Sequence, residues 1–210
     1  MTKAQKIVFI VAGALALLIG LSVHHLLTRQ SQPNRAALVD AGIILLAQSR
    51  AMPALQMTDQ DGAAVHVDQL RGKWSLLFFG YTFCPDICPT TLANLRDVQQ
   101  QLPDATRERL QVVLISVDPH RDTPERLKQY LGYFKAGFEG WVAPVETLQA
   151  LASAISIPFI PADTRKPNYL VEHSANLALI GPDGRQRGFI RGPIDNAKMI
   201  AQLPGLVAGD

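Results

Sequence analysis

Residues 73–89 read KWSLLFFGYTFCPDICP, and this stretch decides the fold. Residues 73–80 form a continuous apolar run, which is typical of a strand buried on both faces of a sheet. Two cysteines, Cys84 and Cys88, follow this run, each directly before a proline, at the point where the strand ends and a helix is expected to begin. The sequence therefore predicts a central strand that brings two thiols to one edge of a sheet.

The chain around this run alternates between predicted strands and predicted helices. Apart from the run itself, strands are expected at residues 43–46, 55–58, 64–67, 110–117, 175–180 and 186–190. Helices are expected at residues 90–102, 123–134, 145–154 and 194–203, with Thr123 as N-cap of the second. Residues 155–169 contain three prolines and are predicted to form a long loop. This order predicts an α/β fold with a central mixed sheet flanked by helices.

The N-terminal segment predicts a membrane anchor. Residues 7–27 are uncharged and interrupted only by His24 and His25, which we expect at the membrane interface. A helix of about 20 residues spans the roughly 30 Å core of a bilayer. A cleaved signal peptide also fits this segment, but no A-x-A site follows it, which favours an uncleaved anchor. We divide the chain into an N-terminal segment 1–6, a transmembrane anchor 7–27, a linker and domain start 28–50, and a domain 51–210.

Composition and charge limit the classes of function. Hydrophobic residues make up 48% of the chain and charged residues 18%, so a packed core is expected and disorder is excluded. Residues 1–36 carry four basic side chains and no acidic ones, which leaves 16 basic and 18 acidic side chains in the other 174 residues. Nucleic acid is therefore a poor partner, because binding phosphates requires a concentrated basic face.

Cys84, Cys88 and His173 are the candidate metal ligands. A spacing of four residues brings both sulfurs together on a helix, and a helix N-terminus favours the thiolate. His173 precedes a predicted strand whose beginning the topology could place beside Cys84. Two thiolates and one imidazole suit Cu(I), or Cu(II) with a fourth ligand, and zinc is the competitor. Asp86 could supply an oxygen, lie beside the ligands, or only begin the helix.

The other polar features predict structural roles. Residues 118–124 read DPHRDTP and end a strand at the same sheet edge as the cysteines, where we expect them to cap a helix and shape a loop. His66 and His120 are predicted to be solvated. The sequence contains no glycine-rich phosphate loop, no G-x-S-x-G motif and no H-E-x-x-H motif.

Two motifs resemble the signature of the Sco/SenC family. These are FGYT at residues 79–82 and CPDICP at residues 84–89. The similarity returns at residues 117–119, 121–124, 171–174 and 181–184, and it covers roughly residues 52–206 together with the matching anchor. The chain differs from the usual family pattern at Glu172, where aspartate is common, and at residues 143–146.

The resemblance implies a membrane-anchored, thioredoxin-like copper protein of cytochrome c oxidase assembly. By position, the copper ligands of the family correspond to Cys84, Cys88 and His173, and the aspartate between its cysteines corresponds to Asp86. Thioredoxins carry a cis-proline near the position of His173. An imidazole in that place fits metal binding better than general disulfide exchange.

The resemblance also implies a location and partners. We expect a single-pass protein of the bacterial cytoplasmic membrane, with residues 1–6 in the cytoplasm and the domain in the periplasm. The expected partners are the copper-site subunit of the oxidase, a periplasmic copper donor and a thiol reductase. Two functions stay open: a copper chaperone for the CuA site, and a thiol-disulfide oxidoreductase that reduces the cysteines of that site.

Overall fold

The computed structural model describes residues 2–29 and 34–209 of the chain, so residues 30–33 of the predicted linker lie outside the described part. The helices are α1 Lys3–Arg29, α2 Arg35–Asp40, α3 Ile87–Gln101, α4 Asp104–Arg107, α5 Pro124–Gly132, α6 Val145–Ala154 and α7 Asn196–Ala208. The strands are β1 Ile43–Ala51, β2 Gln56–Asp59, β3 Ala64–His66, β4 Trp74–Gly80, β5 Leu110–Ser116, β6 Glu139–Val142, β7 Phe159–Ile160, β8 Glu172–His173, β9 Leu177–Ile180 and β10 Arg185–Ile190.

Eight of these strands form one mixed sheet in the order β1–β10–β9–β4–β5–β6–β2–β3. β4, β5 and β6 run parallel, whereas β9 runs antiparallel to β4 on its other side. All seven residues of β4 are buried, as its apolar composition predicts for a central strand. The predicted mixed sheet is therefore confirmed. The loop that carries Cys84 follows β4, which is a central strand of this sheet.

The helices pack against one another and against the sheet. α3 packs against α7, and α5 packs against β6. The hydroxyl of Thr123 accepts a hydrogen bond from the N–H of Arg126 at 3.3 Å, which confirms Thr123 as the N-cap of α5. The buried core extends along the domain from Leu38 to Val207.

Several elements differ from the sequence prediction, which also lacks the short helices α2 and α4. β6 is not predicted, because it is short and contains Gly140 in place of an apolar run. The predicted loop 155–169 contains β7, which pairs with β8 in a separate two-stranded sheet. α3 begins at Ile87 and not at residue 90, because Pro89 is tolerated in the first turn of a helix. β8, which the sequence does not predict either, carries His173, and the earlier start of α3 brings Cys88 into the helix.

The N-terminal helix α1 is separate from this core. Its segment Ala4–Ser22 is, among the described residues, the one stretch long and apolar enough to cross a membrane. None of that window is buried against the domain. The helix is therefore suited to anchor the domain to a membrane, while the boundaries 1–6, 7–27, 28–50 and 51–210 stay predictions.

Gly80 at the end of β4 allows the close approach of α3. A Cβ atom at this position would lie 2.8 Å from Cys88 Sγ and 3.0 Å from Cδ1 of Leu114. Both neighbours are fully buried, so neither has room to move away. The glycine is therefore required by the packing of the Cys88 sulfur against the strand.

We expect Gly80→Ala to lower the free energy of unfolding by about 1–3 kcal/mol, because the added methyl group overpacks the core. Thermal or urea unfolding of the detergent-solubilised chain measures this change. Gly132→Ala at the end of α5 is the control, since a Cβ there meets no atom of the described residues within 4 Å. Equal stability of the two variants would contradict the assigned role of Gly80.

Candidate metal centre

The two cysteines are positioned by the end of β4 and the beginning of α3. Cys84 lies in the loop that leaves the strand, and Cys88 lies in the first turn of the helix. The backbone N–H of Cys88 donates a hydrogen bond to Cys84 Sγ at 3.4 Å. The four-residue spacing thus brings both sulfurs to a helix N-terminus, where unpaired N–H groups favour negative charge.

His173 reaches the cysteines from the far end of the chain. It lies in β8, opposite Phe159 of β7, and its ring meets the rings of Phe78 and Tyr81 edge-on at centroid distances of 6.0 and 5.7 Å. Its Nδ1 lies 3.2 Å from the carbonyl oxygen of Ser174. The tautomer that donates this Nδ1–H bond leaves the lone pair of Nε2 free toward the sulfurs.

The three side chains form a cluster with the spacing of a metal site. Nε2 of His173 lies 3.4 Å from Cys88 Sγ and 3.8 Å from Cys84 Sγ. The three ligand atoms all lie within 4.8 Å of one another. Ligands about 2.0–2.3 Å from one ion stand roughly 3.5–4 Å apart, so small adjustments would accommodate a metal.

The two thiols differ in their protonation. A hydrogen bond from Cys88 is the largest influence that lowers the pKa of Cys84, to about 4, with further support from His173 and from the backbone N–H groups of Cys88 and Asp86. The pKa of Cys88 is raised, first because it shares its proton with Cys84 and second because it is buried. The pair therefore holds one thiolate and one thiol at neutral pH.

Asp86 lies at the entrance of the site. Its side chain is exposed, and Oδ1 lies 3.5 Å from the hydroxyl of Thr90. It lines a cavity of about 350 Å³ together with Cys84, Leu170 and His173. Among the described residues, the cluster of ligand atoms does not include Asp86. Its proposed place beside the ligands stays a prediction.

The other predicted histidines lie away from this cluster. His120 is exposed, as expected from the sequence. His66 lies in β3 and is half-buried, so it is less solvated than the sequence predicts. Neither belongs to the metal-ligand cluster found among the described residues.

The sequence prediction missed a buried polar group beside the site. Asp118 and Asp122 are 3% and 1% exposed, although turn carboxylates are usually solvated. Arg121 forms an ion pair with Asp118 and stacks on the ring of Tyr169 at 3.7 Å from its centroid. The sequence signal that could have found this group is the position of residues 118–122 directly after β5. β5 is parallel to β4, so both strands end at the same sheet edge, and the residues that follow β5 lie near the cysteines.

Comparison with known proteins places the whole domain in one family. A protein-family model described as SCO1/SenC matches residues 46–208. A protein of Stutzerimonas stutzeri named for copper binding is 51% identical over 175 residues, covering 83% of this chain and 86% of the relative. The SCO2-like protein of Rickettsia felis is 30% identical over 189 residues, covering 87% and 89%.

Solved structures share the fold. Bradyrhizobium japonicum ScoI with copper bound has a TM-score of 0.65 and 32% identity, covering 73% of this chain and 97% of that one. Yeast Sco1 with copper bound has a TM-score of 0.70 and 27% identity, covering 77% and 90%. The thioredoxin-like fold expected from the sequence is confirmed by these structures.

We expect the two thiols to react at very different rates. At pH 6, iodoacetamide should modify Cys84 first, because its pKa near 4 keeps it ionised while Cys88 stays protonated and fully buried. Mass spectrometry of the reduced chain after short exposure measures the site of modification. The rate at Cys84 should fall only as the pH approaches 4, since a lowered pKa moves the loss of the thiolate to more acid solution.

Cys84→Ser is the control for this assignment. It removes the reactive sulfur, so modification at pH 6 should nearly vanish. Preferential modification of Cys88 in the unaltered chain would contradict the assigned order of the two pKa values.

Proposed function

The chain belongs to the SCO1/SenC family, and we propose that it binds copper and delivers it to the CuA site during cytochrome c oxidase assembly. The observation that carries this proposal is the convergence of two sulfurs and one imidazole nitrogen within 4.8 Å. Copper-bound structures of similar proteins from Bradyrhizobium japonicum and yeast support the choice of metal.

The ligand set favours Cu(I). Thiolates are soft donors that select Cu(I) over hard cations, and two thiolates with a neutral imidazole give a three-coordinate ion. Structural zinc takes four protein ligands, and no fourth histidine, cysteine or carboxylate joins the cluster within residues 2–29 and 34–209. Binding through Cys84, Cys88 and His173 would displace the proton that Cys88 holds.

The placement of the ligands suits transfer of the ion. Cys84 and His173 line the open cavity, whereas Cys88 is fully buried in α3. A partner thiolate entering through the cavity would first replace one of the two accessible ligands. Cys88 would be the last donor to release the ion, so the metal would stay bound to a sulfur throughout the exchange.

The expected membrane topology sets the partners. We propose that α1 anchors the chain in the bacterial cytoplasmic membrane, with residues 1–6 in the cytoplasm and the domain in the periplasm. There the domain would receive copper from a periplasmic donor and pass it to the copper-site subunit of the oxidase. Because the periplasm is oxidising, a thiol reductase would keep Cys84 and Cys88 reduced.

A second candidate function rests on the ionised Cys84. A thiolate of low pKa beside a second thiol is typical of disulfide oxidoreductases. Cys84 would attack a disulfide of the oxidase copper site and form a mixed disulfide. Deprotonated Cys88 would then resolve it, leaving a Cys84–Cys88 disulfide in this chain and two thiols on the target. The reductase would return the disulfide to two thiols.

We expect His173→Ala to weaken Cu(I) binding by at least about tenfold. Loss of a residue that only hydrogen-bonds to a metal ligand already costs about that much affinity, and loss of a direct ligand should cost no less. Anaerobic titration of the reduced, detergent-solubilised chain against a competing Cu(I) chelator measures the affinity. His66→Ala is the matched control, because it removes a histidine outside the cluster. Absence of tight Cu(I) binding by the unaltered chain would refute the chaperone.

Oxidase maturation separates the two candidate functions. In cells that lack the native protein, His173→Ala should fail to restore the CuA absorption of the oxidase if copper delivery is the function. Full restoration by a variant that no longer binds copper would instead favour the oxidoreductase.

A further inference from the structure

The turn that follows β5 carries two carboxylates that the copper site itself does not use. Asp118 and Asp122 are 3% and 1% exposed. The turn is closed by hydrogen bonds from the N–H groups of Arg121 and Asp122 to the carbonyl oxygen of Asp118, at 3.2 and 2.9 Å. Burying carboxylates is costly unless they receive hydrogen bonds or ion pairs. The groups that they bind therefore indicate what the turn does.

Asp122 binds the cysteine loop, which is the segment of residues 81–86 between β4 and α3. Its Oδ2 accepts a hydrogen bond from the backbone N–H of Thr82 at 3.0 Å, and its Oδ1 accepts one from the hydroxyl of Thr82 at 2.6 Å. The hydroxyl of Ser116 at the end of β5 donates to Oδ2 at 2.7 Å. Thr82 stands two residues before Cys84, so these bonds fix the loop just ahead of the first cysteine ligand.

Asp118 and Arg121 bind the histidine segment, which comprises residues 169–173. The hydroxyl of Tyr169 donates to Asp118 Oδ1 at 2.8 Å, and the guanidinium of Arg121 lies 3.7 Å from the centroid of the Tyr169 ring. Arg121 also forms an ion pair with Asp118. Tyr169 stands four residues before His173, so the turn holds the segment that carries the imidazole.

The histidine segment has few other attachments near this point. β8 pairs with β7 through only two residue pairs, and residues 164–168 are all exposed. The N–H of Val171 donates to the hydroxyl of Tyr81 at 3.2 Å, which joins the segment directly to the cysteine loop. Tyr169 is therefore the principal contact of this segment with the turn.

Arg121 bridges the two sides of the site. Its guanidinium lies 4.6 Å from the centroid of Phe83, next to Cys84, and it contacts Tyr169 on the histidine side. Nη2 is buried and finds no hydrogen-bond partner in the described part of the chain. Aromatic stacking and the ion pair with Asp118 thus hold the guanidinium, and the stacking joins Phe83 to Tyr169.

We propose that Asp118, Arg121 and Asp122 are positioning residues that hold the cysteine loop and the histidine segment at the separation that metal ligation requires. Tyr169 transmits this constraint to His173, and Thr82 transmits it to Cys84. The inference rests on the proposed copper function, but it assigns new roles to residues that do not touch the metal. It predicts that the two sides of the site can be loosened separately.

Tyr169→Phe tests the histidine side. It removes the hydroxyl that donates to Asp118 and keeps the ring on Arg121. Loss of a hydrogen bond to a charged group should raise the dissociation constant for Cu(I) by roughly tenfold. X-ray absorption of the copper-loaded chain should show reduced imidazole scattering. Tyr133→Phe is the matched control, since Tyr133 is 73% exposed and should change neither quantity.

A double-mutant cycle distinguishes positioning from general stability. If Tyr169 acts through His173, then Tyr169→Phe should have no further effect on Cu(I) affinity in a His173→Ala background. Thr82→Val removes the hydroxyl bond to Asp122 and should weaken Cu(I) binding by roughly threefold in both backgrounds, because it acts through the cysteines. Thr106→Val on α4 is the control for a buried threonine elsewhere.

The outcomes separate this inference from the proposed function. An unaltered chain that does not bind Cu(I) overturns both. If the unaltered chain binds Cu(I) and Tyr169→Phe changes neither affinity nor imidazole scattering, the positioning role is wrong and the copper function stands. Equal effects of Tyr169→Phe with and without His173 would also overturn the role. Should Tyr169→Phe fail to fold, Arg121→Lys keeps the positive charge and loses the planar stacking on both Phe83 and Tyr169. It must weaken Cu(I) binding more when His173 is present than in a His173→Ala background.

Discussion

The candidate site depends on one long-range contact, the approach of the His173 imidazole to the two cysteine sulfurs. Nε2 lies 3.4 Å from Cys88 Sγ, although the two residues stand 85 positions apart in the sequence. Such a contact closes a long loop and orders flexible chain on both sides of it, at a cost in conformational entropy. The contacts among three ligand side chains cannot offset that cost alone, so the sheet must bring their segments together.

The topology of the sheet does this through the neighbours of β4. Because β9 is antiparallel to β4, with Leu177 opposite Phe78, the beginning of β9 lies beside the end of β4. The segment before β9 carries His173, and the segment after β4 carries Cys84. β5 runs parallel to β4 on the other side, so the turn 118–122 reaches the same edge. Three segments distant in sequence therefore meet at one place.

Sequence alone locates the centre of this arrangement better than its periphery. β4 and β5 are predictable to within one residue at each end, since continuous apolar runs indicate strands buried on both faces. β6 and β7 are too short to carry a pattern, and tertiary pairing alone makes them strands. The resemblance to the Sco/SenC family groups Cys84, Cys88 and His173 as ligands. Asp118 and Asp122 look like ordinary turn residues in the sequence, because their burial arises only when the chain folds.

The charges at this edge connect the turn 118–122 to the candidate metal site. The shared proton and burial raise the pKa of Cys88, and the Cys84 thiolate and Asp122 raise it further. Arg121 brings a positive charge to the same edge, but it is paired with Asp118. A second thiolate is therefore unfavourable there unless a cation accompanies it. Cu(I) at the sulfurs would supply that cation, so ionisation of Cys88 and binding of the ion would be coupled. The same coupling would oppose release of the ion into water. A partner that offered its own thiolates would exchange one set of sulfurs for another without leaving an uncompensated charge.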